Sequence, residues 1–591
     1  MAALVKQSRT YNWADALTWQ AGRHTIRAGV ELRRTVLPAL QTSNASGSLS
    51  FTASSTGVSS GYGFADFLMG VPSSTQQVPI RPELLLHQNE IASYIQDDWR
   101  VSRRLTLYAG LRHELSFSPS EEHNRITTFD PQVGGIVVAS DGGKLPVDYY
   151  VPTVVTKLAP NGTFPFPVVA AESMGLDGNH LVNTQWKNLG PRAGVALDLS
   201  GTGRTVLRSG YGIFYTRYPI QYLQQTAFVN PPFAGVFNYS QSFANGQPQL
   251  TLANPYNSAG NPSVAPAGME RNFRQPYNQQ WNLTLEHQIG FDTVISLGYV
   301  GNKGTHLFRS TDANGPRIDP ATQKVVRPFS GTFGTSAIAY RLTNGNSIYN
   351  AMLLEFRRRA ARGLTFQGNW TWANSMDDTG QTVNNALLDV QNLGRDRARS
   401  DYVRHHQLTV NSAYELPFGR GQRILRDIPR WSNALLGGWR LSGILRYTTG
   451  RYFTPSFTAA GGLSNNRPDV VSGVSANLPS DQRTPQRWFN PAAFAAVPAT
   501  DPVTGLPRFG NAGRNSLIGP GLSTVDASLA KSVRIRESGM AASFRLEAFN
   551  LFNHPNYDLP QSNISQTNLA GSISTTTVDA RQVQFAFRLD F

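Results

Sequence analysis

Any chemistry in this sequence would have to come from arginines and carboxylates carried on alternating segments. Arg112 and Glu114 stand two apart in LTLYAGLRHELS, and Arg545 and Glu547 stand two apart in FRLEAF. Arg440 and Arg446 stand six apart in WRLSGILRYT, and Arg208 and Arg588 hold similar places in TVLRSGYG and FAFRLD. Even spacing on an extended backbone puts side chains on one face. Arg112, Arg208, Arg440, Arg446, Arg545 and Arg588 could therefore line a surface that attracts an anionic ligand. The plainer expectation is pairing with carboxylates such as Glu114, Glu286 and Glu547. The histidines offer less. His113 and Glu114 are neighbours on a strand, so they point to opposite faces, and His405–His406 has the same problem. Asp97–Asp98 and Asp377–Asp378 supply two carboxylates each, whereas calcium takes about 6–8 oxygens, so solvated rim charge is expected. The phosphate-loop and paired-histidine zinc patterns are absent. There are 0 cysteines, which removes zinc–thiolate, redox-pair and disulfide chemistry. No enzymatic activity, cofactor or metal site is expected.

Those faces exist only if the segments are strands. Leu105, Leu107, Ala109, Leu111, Leu115 and Phe117 alternate with Thr106, Tyr108, Gly110, Arg112, Glu114 and Ser116. Trp281, Leu283, Leu285 and Ile289 alternate with Gln280, Asn282, Thr284, Glu286 and Gln288. The same pattern runs through Leu364–Trp372 and, with Ile444 as an exception, through Trp439–Tyr447. A strand tilted across a bilayer needs about 9–11 residues, and a soluble strand usually has about 5–6. These segments have the longer length. Aromatics near their ends (Trp19, Trp99, Phe117, Trp281, Trp372, Trp439) suit interfacial girdles.

The pattern predicts fifteen long strands, at roughly 11–20, 24–34, 87–100, 104–117, 189–199, 204–216, 277–289, 293–302, 347–359, 363–375, 405–415, 438–449, 522–533, 540–552 and 579–591. Links between them alternate short and long, the layout of an outer-membrane barrel. One nominally short link, 416–437, is longer and contains PFGRG. The last strand places Val583, Phe585, Phe587, Leu589 and Phe591 in phase at the chain end. The fold class expected is all-β: an antiparallel transmembrane β-barrel, closed or an open part of one, over residues 1–591 with no plug domain.

Bulk composition agrees. Charged residues are 15% of the chain, against about 25% in ordinary domains. The 31 Phe, 21 Tyr and 10 Trp favour pleated sheet. No apolar run is long enough for a transmembrane helix, which leaves membrane-crossing strands open. The start, MAALVKQSRTYNWADALTW, lacks a signal-peptide pattern. The net charge of +15 is spread out rather than clustered; its densest group is Arg357, Arg358, Arg359 and Arg362, so no nucleic-acid partner is expected.

Several segments resemble the barrels of TonB-dependent receptors, particularly the Oar-like group. They include GYGFADFLMGVP (61–72), SYIQDDWRVSRRLTLYAGLRHE (93–114), NLGPRAGVALDLSGTGRTVLRSGYGIFY (188–215) and YNQQWNLTLEHQI with SLGYVGNKGTHL. YNAMLLEFRRRAARGLTFQGNWTWANSMDD (349–378), LPFGRGQ with GGWRLSGILRYTTGRYF, and FRLEAFNLFNHPNY (544–557) continue the series. The terminal alternation resembles the signal read by the barrel-assembly machinery. The resemblance implies location in the outer membrane, contact with outer-membrane lipid and a role in substrate uptake. It also implies that these are the last fifteen strands of a 22-stranded barrel. Coupling to the TonB energy complex would need a plug and TonB box elsewhere in the gene product. Rival expectations are an adhesive or structural surface barrel, an inactive remnant, and a soluble all-β glycan binder. The loop aromatics Tyr218, Tyr222, Phe228, Phe233, Phe237 and Tyr239 could stack on a glycan or another bulky substrate, or equally pack among the long loops.

Overall fold

The computed structural model describes residues 3–5, 7–41, 47–52, 60–78, 83–257, 263–290, 292–361, 363–379, 392–458, 467–498, 500–506, 508–535 and 540–591. Fifteen long strands dominate it. They are β1 (Arg9–Ala21), β2 (His24–Gln41), β3 (Leu84–Arg100), β4 (Leu105–Ser116) and β5 (Leu189–Asp198). Next come β6 (Thr205–Tyr215), β7 (Tyr277–Gly290), β8 (Thr293–Asp312), β9 (Ala339–Ala361) and β10 (Leu364–Asp377). The series ends with β11 (His406–Glu415), β12 (Trp439–Thr448), β13 (Leu522–Arg534), β14 (Ala541–Phe549) and β15 (Gln582–Asp590). Each pairs antiparallel with the next, giving one meander. All fifteen expected strands are present.

Their ends differ from the sequence reading at the long-loop rim. β2 continues to Gln41 and β3 starts at Leu84, while β8 continues to Asp312 and β9 starts at Ala339. Register shifts around Leu307 carry the β8–β9 pairing past the break in its alternation. The extra length supports folded loops, so its residues obey packing rather than membrane periodicity.

The register puts one polar face across the whole sheet. Glu286, Ser296, Glu355, Asn369, Thr409, Arg446 and Thr524 share that face, as partners or near neighbours from β7 to β13. The opposite face is apolar and open: Leu17 is 69% exposed, and Trp13, Trp19, Ile95 and Leu283 are also exposed. On the concave side, Leu84, Leu86, Gln88 and Ala92 are buried, whereas their neighbours Asn89, Ile91 and Ser93 are exposed. Through Glu114, Arg208 and Thr284 this covered face runs on into the polar row, so below the cap polar residues line the inside, the arrangement of a water-filled barrel. Glycines let large rings lie across the wall. A Cβ at Gly29 would meet the Tyr94 ring at 2.7 Å.

No pairing among the described residues joins β1 to β15. Fifteen antiparallel strands leave the first and last running in the same direction. Direct closure would need a parallel pair, foreign to this architecture.

The long links build a cap. Ile126, Val137, Leu176, Tyr218, Leu223, Phe228, Met269 and Phe273 pack with Leu84 and Leu86 of β3 into one apolar core. Phe129, Ile136, Val138, Val154, Phe233, Phe237 and Tyr239 form a second core with Phe333 and Ile338. The link 449–521 has a smaller core around Phe453, Phe489 and Leu517.

Candidate functional site: a polar chamber under the cap

β2, β3 and β4 bring Glu31, Arg33, Glu90, Arg112, Glu114 and Ser116 to the concave face, and the chain after β6 adds Arg217 over them. They enclose a cavity of about 240 Å³. Its charges are balanced. Arg112 donates to Glu114 and reaches Glu31 at 3.4 Å. Arg217 lies 3.2 Å from Glu90, and Arg33 lies 4.0 Å from the same carboxylate. A second cavity of about 370 Å³ shares Tyr215 and Gln275 with the first. Gln185, Asn188, Asn272, Arg274, Tyr277 and His306 complete its wall. Between the two, buried Asn188 donates its amide to Gln275, which fixes both side chains. Tyr215 and Tyr277 have ring centroids 5.5 Å apart. Amides, phenols and guanidinium groups together can hydrogen-bond a hydroxyl-bearing ligand from several directions.

The other arginines singled out lie on the same face. Arg208 pairs with Glu286, and Arg545 lies 3.6 Å from Glu547. Arg440, Ala530, Arg545 and Ala586 form one cross-strand row, and Arg446 sits beside Thr409 and Thr524. Arg588 contacts Asp590 at 2.7 Å and is well exposed. The strand positions separate these residues, so only Arg112 belongs to the enclosed chamber. Arg217, Arg274 and Gln275 were missed by sequence reading. They sit in links where no periodicity marks a face. Replacing Arg112 by Met leaves Glu31 and Glu114 without their guanidinium. The expected cost is about 1.5–3 kcal/mol, the scale of a hydrogen bond to a charged group, read as a lower urea midpoint in detergent.

Loop aromatics do not form a stacking platform. Tyr218, Phe228, Phe233, Phe237 and Tyr239 are all buried in the cap, because the links fold on one another. The side chain of Tyr222 lies outside the described residues. Asp377–Asp378 also departs from expectation. Asp377 is buried and takes Arg514, and Asp378 meets Arg309 at 2.7 Å, because Arg514 from the link after β12 and Arg309 from the extended end of β8 both reach that rim. Asp97–Asp98 stays at the short-turn rim, where His24 and Arg27 approach at 2.6 and 3.1 Å. His405 accepts from the Trp372 indole at 3.0 Å. One string with nucleophile-elbow spacing, GVSSG at 57–61, falls largely on residues outside the described set. Among the described residues, no group of three or more His, Asp or Glu could hold a metal.

One cap residue gives a pH signature. Burial pushes the Glu121 carboxyl up, but Arg125 and backbone N–H groups outweigh it and hold the group below its ordinary value. Arg125 Nη2 is 2.5 Å from Oε1, and the amides of His123 and Arg125 each donate to Oε2 at 2.9 Å. A depressed carboxyl contributes stability above its unfolded pKa of about 4.3 and loses it as pH falls through the folded value. Protection of the His123 and Arg125 amides against hydrogen exchange should therefore hold at pH 5 to 7 and fall below about 4.

Matching against known families assigns residues 2–584 to the outer membrane beta barrel domain. The chain belongs to that family, which is a family of membrane barrels and not of enzymes, and its place is the outer membrane. Among solved structures, the chain is similar to the outer membrane transporter YddB from Escherichia coli, with 11% identity and a TM-score of 0.45, over 98% of this chain and 53% of that one. The pyoverdine outer membrane receptor FpvA from Pseudomonas aeruginosa gives 10% identity and a TM-score of 0.44, over 99% and 53%. The ferric-catecholate import receptor Fiu from E. coli gives 12% and 0.42, over 98% and 54%. The chain thus spans about half the length of these structures. No curated protein sequence matches it.

Proposed function

We propose that this barrel wall belongs to a substrate-specific uptake transporter of the TonB-dependent type. The observation that carries the reading is the polar chamber set under a folded cap. An open diffusion pore would leave its long-loop mouth clear, whereas here the cap's apolar cores pack onto the rim strands. The amide, phenol and guanidinium lining favours a polar, hydroxyl-bearing ligand. The Val583–Phe591 alternation serves as the signal for the barrel-assembly machinery, and outer-membrane lipid covers the apolar face.

Closure follows from strand parity. An odd number of further strands must join β1 to β15 in antiparallel order. The roughly seven needed to reach a 22-stranded transporter barrel satisfy that condition. A plug and TonB box in the same gene product would supply gating and energy coupling.

Growth of a deletion strain on a panel of oligosaccharides as sole carbon source tests the reading. Loss of growth on one of them, restored by the intact gene but not by Arg274→Ala at equal membrane abundance, is the expected result. Growth equal to the parent on every sugar, together with loss of surface attachment, would replace transport by adhesion.

A further inference from the structure

The link between β11 and β12 is out of pattern. Every other link at its rim has at most six residues, whereas this one runs from 416 to 438. It holds a short helix, Arg430–Leu436. The preceding loop is built onto the helix end. Gly419, at φ +124°, sits so close to Gly437 that a Cβ would lie 2.8 Å from the Gly437 Cα. The Asn433 carboxamide oxygen accepts the Arg420 amide at 2.6 Å, and the Gly419 amide donates to Ile424 at 3.0 Å. This accounts for PFGRG: only glycine combines that φ with that approach.

The helix is fastened from the apolar side of the wall. Trp439 and Lys531 are cross-strand partners, in a row with Phe544 and Phe587. That row lies on the face of Leu441 and Leu445, away from the chamber. Lys531 Nζ stands over the Trp439 ring at 4.6 Å and donates to the carbonyls of Leu435 and Gly437 at 2.9 and 2.7 Å. The Trp439 indole also donates to Leu435, at 3.0 Å. Two donors from the lipid-facing row therefore hold the helix C-terminus. What the helix then presents is apolar: Trp431 is 71% exposed and Leu435 65%, with Leu436, Ile424 and Leu425 also exposed. Arg420, Arg423 and Arg426 are exposed beside them, against the single acid Asp427.

We infer that this segment is an interfacial foot that lies in the headgroup region of the membrane leaflet at the short-turn rim and binds anionic phospholipid. Three observations select lipid as the occupant. The helix that carries the exposed Trp431 and Leu435 is tied by its last carbonyls to the lipid-facing row of the wall. That row, with Trp439 and Phe587, ends the strands at the short-turn rim, where a bilayer interface falls. The basic residues match anionic headgroups, each adding attraction near such a surface. An apolar patch rimmed by arginines is the pattern of a helix lying in an interface.

These 591 residues hold no cysteine, so a single label placed among them reports cleanly once any thiol elsewhere in the gene product is replaced by Ser. A Leu435→Cys variant of the full gene product, carrying a bimane label, is placed in phosphatidylglycerol-containing and in purely phosphatidylcholine vesicles. A Thr202→Cys variant, in a short turn of the same rim, is the aqueous control. Heat-modifiable migration verifies folding for each. The expected result is several-fold protection of the 435 label from aqueous iodide and strong quenching by shallow brominated lipid. Gln in place of Arg420, Arg423 and Arg426 should lower the quenching in phosphatidylglycerol and leave it unchanged in phosphatidylcholine. Iodide quenching at 435 equal to that at 202 would overturn the inference. Iodide protection without lipid quenching would also overturn it, because it would mean a protein partner covers the helix.

Discussion

Replacing Phe585, Phe587 and Phe591 together by Ser should remove the folded protein from the outer membrane. Phe585 and Phe587 project from the apolar face of β15, Phe591 follows the strand, and Phe587 lies in the row of Phe544, Lys531 and Trp439. Phe585 is 68% exposed and Phe587 73%, so their burial comes from lipid, not from the rest of the chain. Full burial of such a side chain is worth about 1.5–3 kcal/mol. Three losses at the terminal strand should therefore lower the assembled fraction on the order of a hundredfold or more. The heat-modifiable band in isolated outer membranes measures it. Undiminished folded protein would show that the terminal alternation neither anchors nor guides assembly. Substituting Gln584, Ala586 and Arg588 on the opposite face should have little effect, which separates loss of the apolar face from general disturbance of the strand.

The second large effect lies in the cap. Phe237 is fully buried in the core that also holds Phe129, Phe233 and Phe333. Phe237→Ala should cost about 3–5 kcal/mol, the transfer term plus the cavity left behind. The loss falls on the cap and not on the sheet, because Phe237 belongs to a short strand that pairs with Ser74–Gln77 outside the fifteen-strand wall. Exchange of the amides in Thr127–Asp130 and Gly135–Val138 should accelerate by about two to three orders of magnitude. Amides of β6 and β7 should keep their protection. Passage of small hydrophilic solutes through the barrel should rise in parallel. Unchanged solute passage with an opened cap would show that the links do not close the lumen.

The strands were legible because membrane crossing imposes one rule on every residue. Trp281, Leu283 and Leu285 face lipid while Asn282, Thr284 and Glu286 face water, so type follows parity. That rule also exposed the terminal strand and placed Arg112, Arg208, Arg440, Arg446 and Arg545 on one face. It stops at the rim. Beyond Thr305, β8 leaves its alternation and serves the cap, and nothing in HLFRSTD announces a continuing ladder. The chamber was legible by half. Arg112 and Glu114 sit on a periodic strand, but Arg217, Arg274 and Gln275 come from links whose fold depends on contacts more than a hundred residues away, such as Gln88 with Tyr218 at 2.8 Å. The same blindness left Phe237 and Tyr239 undecided between a surface for ligands and packing among the links. An aromatic in a link reads identically in sequence whether it is buried or exposed. Composition also misjudged Asp377–Asp378. Paired acids at a strand end are usually solvated, and only the packing of Arg514 and Arg309 shows otherwise.

The central claim is that one sheet presents lipid to one face and an aqueous lumen to the other. Single cysteines placed in turn at Asn282, Leu283, Thr284, Leu285 and Glu286, and treated with a water-soluble maleimide in isolated outer membranes, test it most directly. The structure predicts labelling at 282, 284 and 286 and protection at 283 and 285. Equal labelling at all five, or labelling with no period of two, would contradict a membrane-embedded wall with a polar interior.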